Sequence, residues 1–517
     1  MKHDSDDILD TKISIHDSRH FEIKLNIDLP ESRSSSYEIE TYFFVPKALN
    51  IAPGNYSKSD FYSGIQKYIR FKTPQIPLDR ITDSSIPSSP WNRIGTGLDQ
   101  LLASSIDRSV PQDGINSIFE EIKLLGQVTR ASIRDTAVAL IREMEVMRNY
   151  AGPERFSVLQ QAILNLLRDI QELERSICVR HQEISRPQIP SKLKDGFRYF
   201  DEFFSLTVEE YLALVFKALS EAPIPEADSS DLKRKIGEVL KTQQLHRREM
   251  GYPSLFVEGR DNSIIPYRKG VLKKFTSSSL HLNLEVSEWQ AISQLNFSIA
   301  AGVAMLFAAV VTVFAQSRFS TSSSMFIVIV VVSYILKDRM KDWLKVFLSQ
   351  KMLRGAADQS AKIRDPGTGQ VVGMFREAFA FMEYDRLPAV IRSRRNMDNI
   401  TSIDEEGKPE RVMKYEKQVT LYPRKIARFH QRRRDINDIM RFDISQWVKQ
   451  ADDPKAEMLH FCHETGTLQT VTCRKDYHIN IVFKYQTAGS DGRMRDAFER
   501  IRLILNRDGI VQLDEVH

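Results

Sequence analysis

Four residues between positions 460 and 473 have side chains that bind metals: His460, Cys462, His463 and Cys473. Thiolate and imidazole are zinc's usual ligands. The spacing argues against a site. On a strand His460 and Cys462 share one face, while His463 turns to the other. No C-x-x-C pair is present, and HFCHETGTLQTVTC (460–473) reads as a hairpin turning near Gly466. Gly367, Gly369 and Gly373 lack the spacing of a phosphate-binding loop, and no Gly-Lys-Ser/Thr follows them. RDPGTGQVVG (364–373) instead reads as a turn between strands. Neither Gly-x-Ser-x-Gly nor His-Glu-x-x-His occurs. The carboxylate pairs Asp452–Asp453 and Glu405–Glu406 fall in expected loops. No catalytic residue, metal or cofactor is assigned, and whether the chain is an enzyme stays open.

The strongest charge feature is YPRKIARFHQRRRD (422–435), with Arg424, Lys425, Arg428, Arg432, Arg433 and Arg434. IRSRR (391–395) is a smaller cluster. Guanidinium and ammonium groups suit phosphate. Anionic lipid, nucleic acid or nucleotide, and the chain's own carboxylates are all open as partners. Too few aromatics are interleaved for single-strand stacking. Over 517 residues the net charge is only +5, from 73 basic and 68 acidic side chains, so no global field recruits a polyanion.

The elements that must carry these residues surround one apolar tract. Residues 296–315 carry no charge, nor do 325–336. At the helical rise the first segment spans about 30 Å, one hydrocarbon core. The second reaches that length only if Ser320–Ser324 join it. Two antiparallel transmembrane helices are expected, joined by a short polar linker. Lys337, Arg339, Lys341, Lys345, Lys351 and Arg354 follow the second helix, and the linker holds only Arg318. The positive-inside rule then places both large flanking parts in the cytoplasm and the hairpin in a bacterial inner membrane. Three cysteines and an acidic, polar MKHDSDDILD fit a reducing compartment and no export signal.

Ala300, Ala304 and Ala308 recur on one face of the first helix, where another helix can approach closely. That face packs on residues 325–336 or on a second copy. The crossings hold no ionisable group, so an anchor is expected rather than a carrier. Beyond the membrane, Met340, Trp343, Leu344, Phe347 and Leu348 recur at helical spacing. Trp343, Phe347, Lys341 and Lys345 are candidates for the headgroup layer.

The rest reads as an α+β membrane protein. Residues 1–112 form a β-rich segment with a Pro/Ser-rich connection. Within it FEIKLNIDL (21–29) and YEIETYFFVP (37–46) alternate as strands. Residues 113–255 form a helical bundle with an antiparallel helical hairpin. Its seam is Leu159, Ile163, Leu166, Ile170, Leu173 and Ile177, a short coiled-coil stripe that closes within the chain or dimerises. Residues 256–295 are a strand-containing linker, 296–336 the transmembrane hairpin, and 337–354 an amphipathic juxtamembrane helix. Residues 355–517 are a mixed α/β domain in which 430–450 is expected to be helical. Strands at both ends are expected to share one cytoplasmic body. The expected role is a membrane-anchored scaffold, sensor or regulator bound to a protein partner or to itself. An oligomerising, membrane-permeabilising stress or defence effector is one alternative. A membrane-anchored enzyme with a dispersed site is the other.

Overall fold

The computed structural model describes residues 9–29, 35–104, 112–147, 153–222, 224, 226–259, 261–288, 290–319, 323–352, 357–398, 410–429, 435–488 and 494–516. The chain opens with strands β1 (Leu9–Ile15), β2 (His20–Ile27) and β3 (Ser35–Pro46), helix α1 (Lys58–Ser63) and strand β4 (Ile65–Phe71). Six helices follow: α2 (Pro90–Ser104), α3 (Gln112–Met147), α4 (Pro153–Ile184), α5 (Ser191–Glu221), α6 (Glu226–Glu249) and α7 (Ile264–Ser277). Strand β5 (Asn283–Glu288) leads into α8 (Gln290–Arg318) and α9 (Ser324–Met352). The C-terminal part holds β6 (Gln359–Arg364), β7 (Val371–Met382), α10 (Ala389–Arg395), β8 (Glu410–Leu421), α11 (Pro423–Phe429), β9 (Ile436–Asp443) and α12 (Ser445–Lys449). It ends with β10 (Lys455–Cys462), β11 (Thr467–Arg474), β12 (Tyr477–Ala488), β13 (Met494–Asn506) and β14 (Gly509–Glu515). The fold is mixed helix and sheet, as α+β requires.

Strands from the two ends of the chain interleave. The eight-stranded sheet has the order β14-β13-β12-β3-β8-β7-β6-β5, so N-terminal β3 lies between β12 and β8. The four-stranded sheet has the order β1-β2-β9-β4, so C-terminal β9 lies between β2 and β4. Strong alternation fixes the register: in β2, Phe21, Ile23, Leu25 and Ile27 all face inward. The inner faces meet through aromatic rings. Phe43 of β3 lies 5.5 Å from Phe442 of β9, and Phe61 of α1 stacks on Phe379 of β7 at 3.9 Å. A capping box between Ser57 and Asp60 starts α1 and aims Phe61 into this layer.

The expected helix over 430–450 is a strand followed by one short turn of helix. β9 pairs with β2 along its whole length and with β4 from Ile436 to Phe442. Ladders on both sides override the helical pattern. The Pro/Ser-rich connection of the N-terminal segment also contains a helix, α2. In the bundle, the seam from Leu159 to Ile177 is buried within the chain. α4 touches α3, α5 and α6, while α3 runs most extensively along α5 rather than along its sequence neighbour. Gly196 permits that approach, since a Cβ there would sit 2.7 Å from Phe119 of α3, and Gly126 lets α7 approach α3, since a Cβ there would sit 2.6 Å from the Thr276 side chain. One continuous core runs from the sheets into the bundle.

Candidate functional site

The helical hairpin grows from the edge of the larger sheet. β5 and β6 are antiparallel neighbours, with Glu288 opposite Gln359, and α8 and α9 are inserted between them. The segment Ser298–Arg318 is long and apolar enough to cross a membrane, with mean hydropathy 2.3. Only 17% of its apolar window is buried, so it is not the core helix of the body. Met305, Leu306, Val310, Val313 and Phe314 are all at least 60% exposed.

Among the described residues it is the one helix that meets this test, and the expected second crossing is not supported. α9 is charge-free only through Leu336. Lys337, Asp338, Arg339, Lys341 and Asp342 then follow in close succession. The twelve residues 325–336 make about 18 Å of helix, short of a full hydrocarbon core.

Ala300 and Ala304 are buried, Ala308 is half-buried, and Ala315 extends the same face. α9 is the helix packed along α8. On α9, Ser333 is buried and its hydroxyl has no hydrogen-bond partner among the described residues. Trp343 is 80% exposed and Lys341 is half-buried. Lys345 and Phe347 lie in the same helix, but their side chains fall outside the described residues.

The root of α9 is held by the body. Asp358, directly before β6, accepts hydrogen bonds from Tyr62 Oη at 3.0 Å and from Phe379 N at 2.7 Å, and pairs with Lys58. Next to it Lys67 of β4 pairs with the buried Glu377 of β7, and Tyr415 donates to the same carboxylate at 2.7 Å. Burial, with Asp358 second, raises the Tyr62 phenol well above its ordinary range. Lys67 also donates to Gln359 Oε1 at 3.3 Å, so both sheets contact the start of β6, the strand that follows the hairpin.

The metal candidates are not brought together. In the β10–β11 register Cys462 faces Thr467, while Cys473 faces Ala456, six positions along the ladder. That is about 20 Å of strand. Gly367 and Gly369 build a turn, in which Asp365 accepts from Gly367 N and from Thr368 N and Gly369 takes a positive φ of 67°, while Gly373 lies in β7 opposite Ile363. Arg424, Lys425 and Arg428 stand exposed on α11, while Arg432, Arg433 and Arg434 lie outside the described residues.

The structure assembles three groupings that the sequence did not disclose. Lys417 and Asp438 pair between the sheets. In the bundle, buried Asp201 accepts from Tyr252 Oη at 2.6 Å and lies 2.9 Å from His246 Nε2. Where bundle and small sheet meet, Arg70 of β4, Arg130 and Arg134 of α3 and Lys273 of α7 converge, each within electrostatic reach of at least one of the others. Their positions are separated by scores of residues, so no local motif could reveal them. Comparison with protein-family models, curated proteins and solved structures returned no match.

Proposed function

We propose that the protein is a membrane-anchored scaffold or sensor, held in lipid by α8 and α9, with both sheets and the bundle on one face of the bilayer. The observation that carries this reading is an apolar helix pair left exposed by its own body. Water would solvate that surface at a cost of roughly 25 cal/mol per Å² relative to an apolar environment. A hairpin inserted between adjacent strands returns the chain to the side it left. The positive-inside rule makes that side cytoplasmic, and the inner membrane of a bacterium is the corresponding location. In this reading Lys337, Arg339 and Lys341 meet headgroups and Trp343 sits at the interface.

The short apolar part of α9 favours a second version, in which the hairpin enters one leaflet only. Cysteine scanning separates the two. Ser323→Cys in the linker is labelled from the outer face if both helices cross, and is protected there if the hairpin is re-entrant. Recovery of the full chain in the soluble fraction after membrane flotation sinks both versions.

The small-residue face engaged within the chain supports an anchor over an oligomerising pore. Among the described residues no reactive constellation carries the alternative of an anchored enzyme, and whether the chain is an enzyme stays open. Crosslinking and pull-down from native membranes tests it: a discrete hetero-complex supports a scaffold or sensor, and a large homo-oligomer with liposome leakage supports the effector.

A further inference from the structure

We propose that Arg70, Arg130 and Lys273 form a binding site for a small phosphate-bearing anion at the junction of the helical bundle and the four-stranded sheet. The proposal does not depend on how the hairpin meets the membrane. The three cations come from three elements: the edge strand β4, the long helix α3 and the last bundle helix α7. β4's outer edge is closed here by backbone bonds from Phe71 N to Leu280 O at 2.9 Å and from Leu282 N to Ile69 O at 2.8 Å. Arg70 is thus bridged to His281 and its backbone is fixed.

None of the three has an ion pair or a side-chain hydrogen bond among the described residues. Arg70 is half-buried, and its Nε is a buried donor without an acceptor. Arg130 only lies over the Tyr211 ring, at 6.0 Å. An unmet buried donor on a guanidinium is unfavourable, and like charges held together add to that. Burial and then Arg134 push the Arg70 guanidinium below its usual range, and burial and then Arg130 do the same for Lys273. A bound anion removes both penalties at once.

The surroundings select the ligand. The neighbouring cations already have acidic partners, Arg134 with Asp135 at 2.8 Å and Lys269 with Glu210 at 2.8 Å. These acids, with Glu22 nearby, border the site. An extended polyanion would run into them, whereas a compact one would not. A single carboxylate offsets one of three charges. A phosphate ester or pyrophosphate group offsets two or three, and its oxygens suit the guanidinium fork. The six residues of β5, about 20 Å of strand, separate this place from the start of α8. That favours a soluble phosphate compound over a lipid headgroup as the source.

The test uses the full chain in detergent or in nanodiscs and measures its thermal midpoint at constant ionic strength. Millimolar pyrophosphate raises the midpoint of the parent protein. Arg130→Gln, at a half-buried position, and Lys273→Gln, at an exposed one, each weaken the apparent affinity at least about tenfold, as expected for loss of one charge-assisted contact. Lys425→Gln, elsewhere on the chain, leaves it unchanged. Stabilisation by phosphatidylglycerol nanodiscs over phosphatidylcholine ones, lost in the same two variants, assigns the phosphate to a headgroup. Absence of any stabilisation, or stabilisation equal in all variants, overturns the site. Flotation reads the anchor separately.

Discussion

Lys417 of β8 and Asp438 of β9 face each other between the two sheets with neither side chain reaching solvent, the ammonium 2.6 and 2.7 Å from the two carboxylate oxygens. Tyr37 of β3 donates to the same carboxylate at 2.8 Å. Burial, followed by the Asp438 charge, holds the Tyr37 phenol far above its ordinary range. The pair joins one strand of each sheet, so its geometry specifies how the sheets stack.

Removing one partner leaves the other charge uncompensated. Lys417→Met is expected to destabilise the body by about 3–5 kcal/mol in urea unfolding. Adding Asp438→Leu should recover more than half of that loss. Equal stability of the single and double variants would show that the pair is not coupled.

Because Glu288 and Gln359 are opposite each other, the hairpin is separable from the body. Replacing residues 289–357 by a short Gly-Asn-Gly turn should yield a water-soluble protein that still unfolds cooperatively. Aggregation of that product would mean that the body needs the hairpin to fold.

Residues 357–517 expressed alone lack β2, β3 and β4, leaving gaps in both sheets. The fragment should show no cooperative transition by circular dichroism. A sharp melting curve would contradict the shared-sheet architecture.

Asp358→Ala removes the acceptor shared by Tyr62, Lys58 and Phe379 N. A loss of about 1–3 kcal/mol is expected, since a buried backbone donor is orphaned. Tyr62→Phe should cost less. An unchanged unfolding midpoint in Asp358→Ala would exclude a latch at the root of α9.

His246 supplies a pH signature. Its hydrogen bond to Asp201 raises its pKa above the usual histidine value, with Glu174 and Glu249 adding to this against partial burial. A folded-state pKa above the unfolded one means stability that is full below the unfolded pKa and lost as pH rises through the folded one. His181 and His281 shift the opposite way, mainly through burial. The informative quantity is therefore the difference between the parent and His246→Gln. The parent's advantage should shrink as pH rises from about 6 through the raised pKa. A pH-independent difference would mean that His246 is not charged in the fold.

The sequence disclosed those elements whose burial follows their own periodicity. β2, β3 and the α4 seam alternate or repeat cleanly, and each lies where its apolar face demands. β9 was misread because it buries Asn437 and Asp438, polar residues whose neighbours include Lys417 and Tyr37 on distant strands. A buried polar pair erases the alternation that marks a strand. α7 was missed for a related reason: its buried residues are few, Leu272 and Thr276 among them. The Arg70, Arg130 and Lys273 convergence had no local signature, since only tertiary packing places those positions side by side.

The interleaved sheets also impose a temporal order on biogenesis. The ribosome releases α8 and α9 before β6 through β14 exist, so when the apolar pair emerges, β3 has neither of its neighbours and β9 has not been made. If the pair anchors the chain as proposed, insertion precedes closure of the body. The N-terminal strands wait with open ladders until the last third of the chain arrives beside them. Truncation late in translation would leave unpaired strand edges, an adhesive surface.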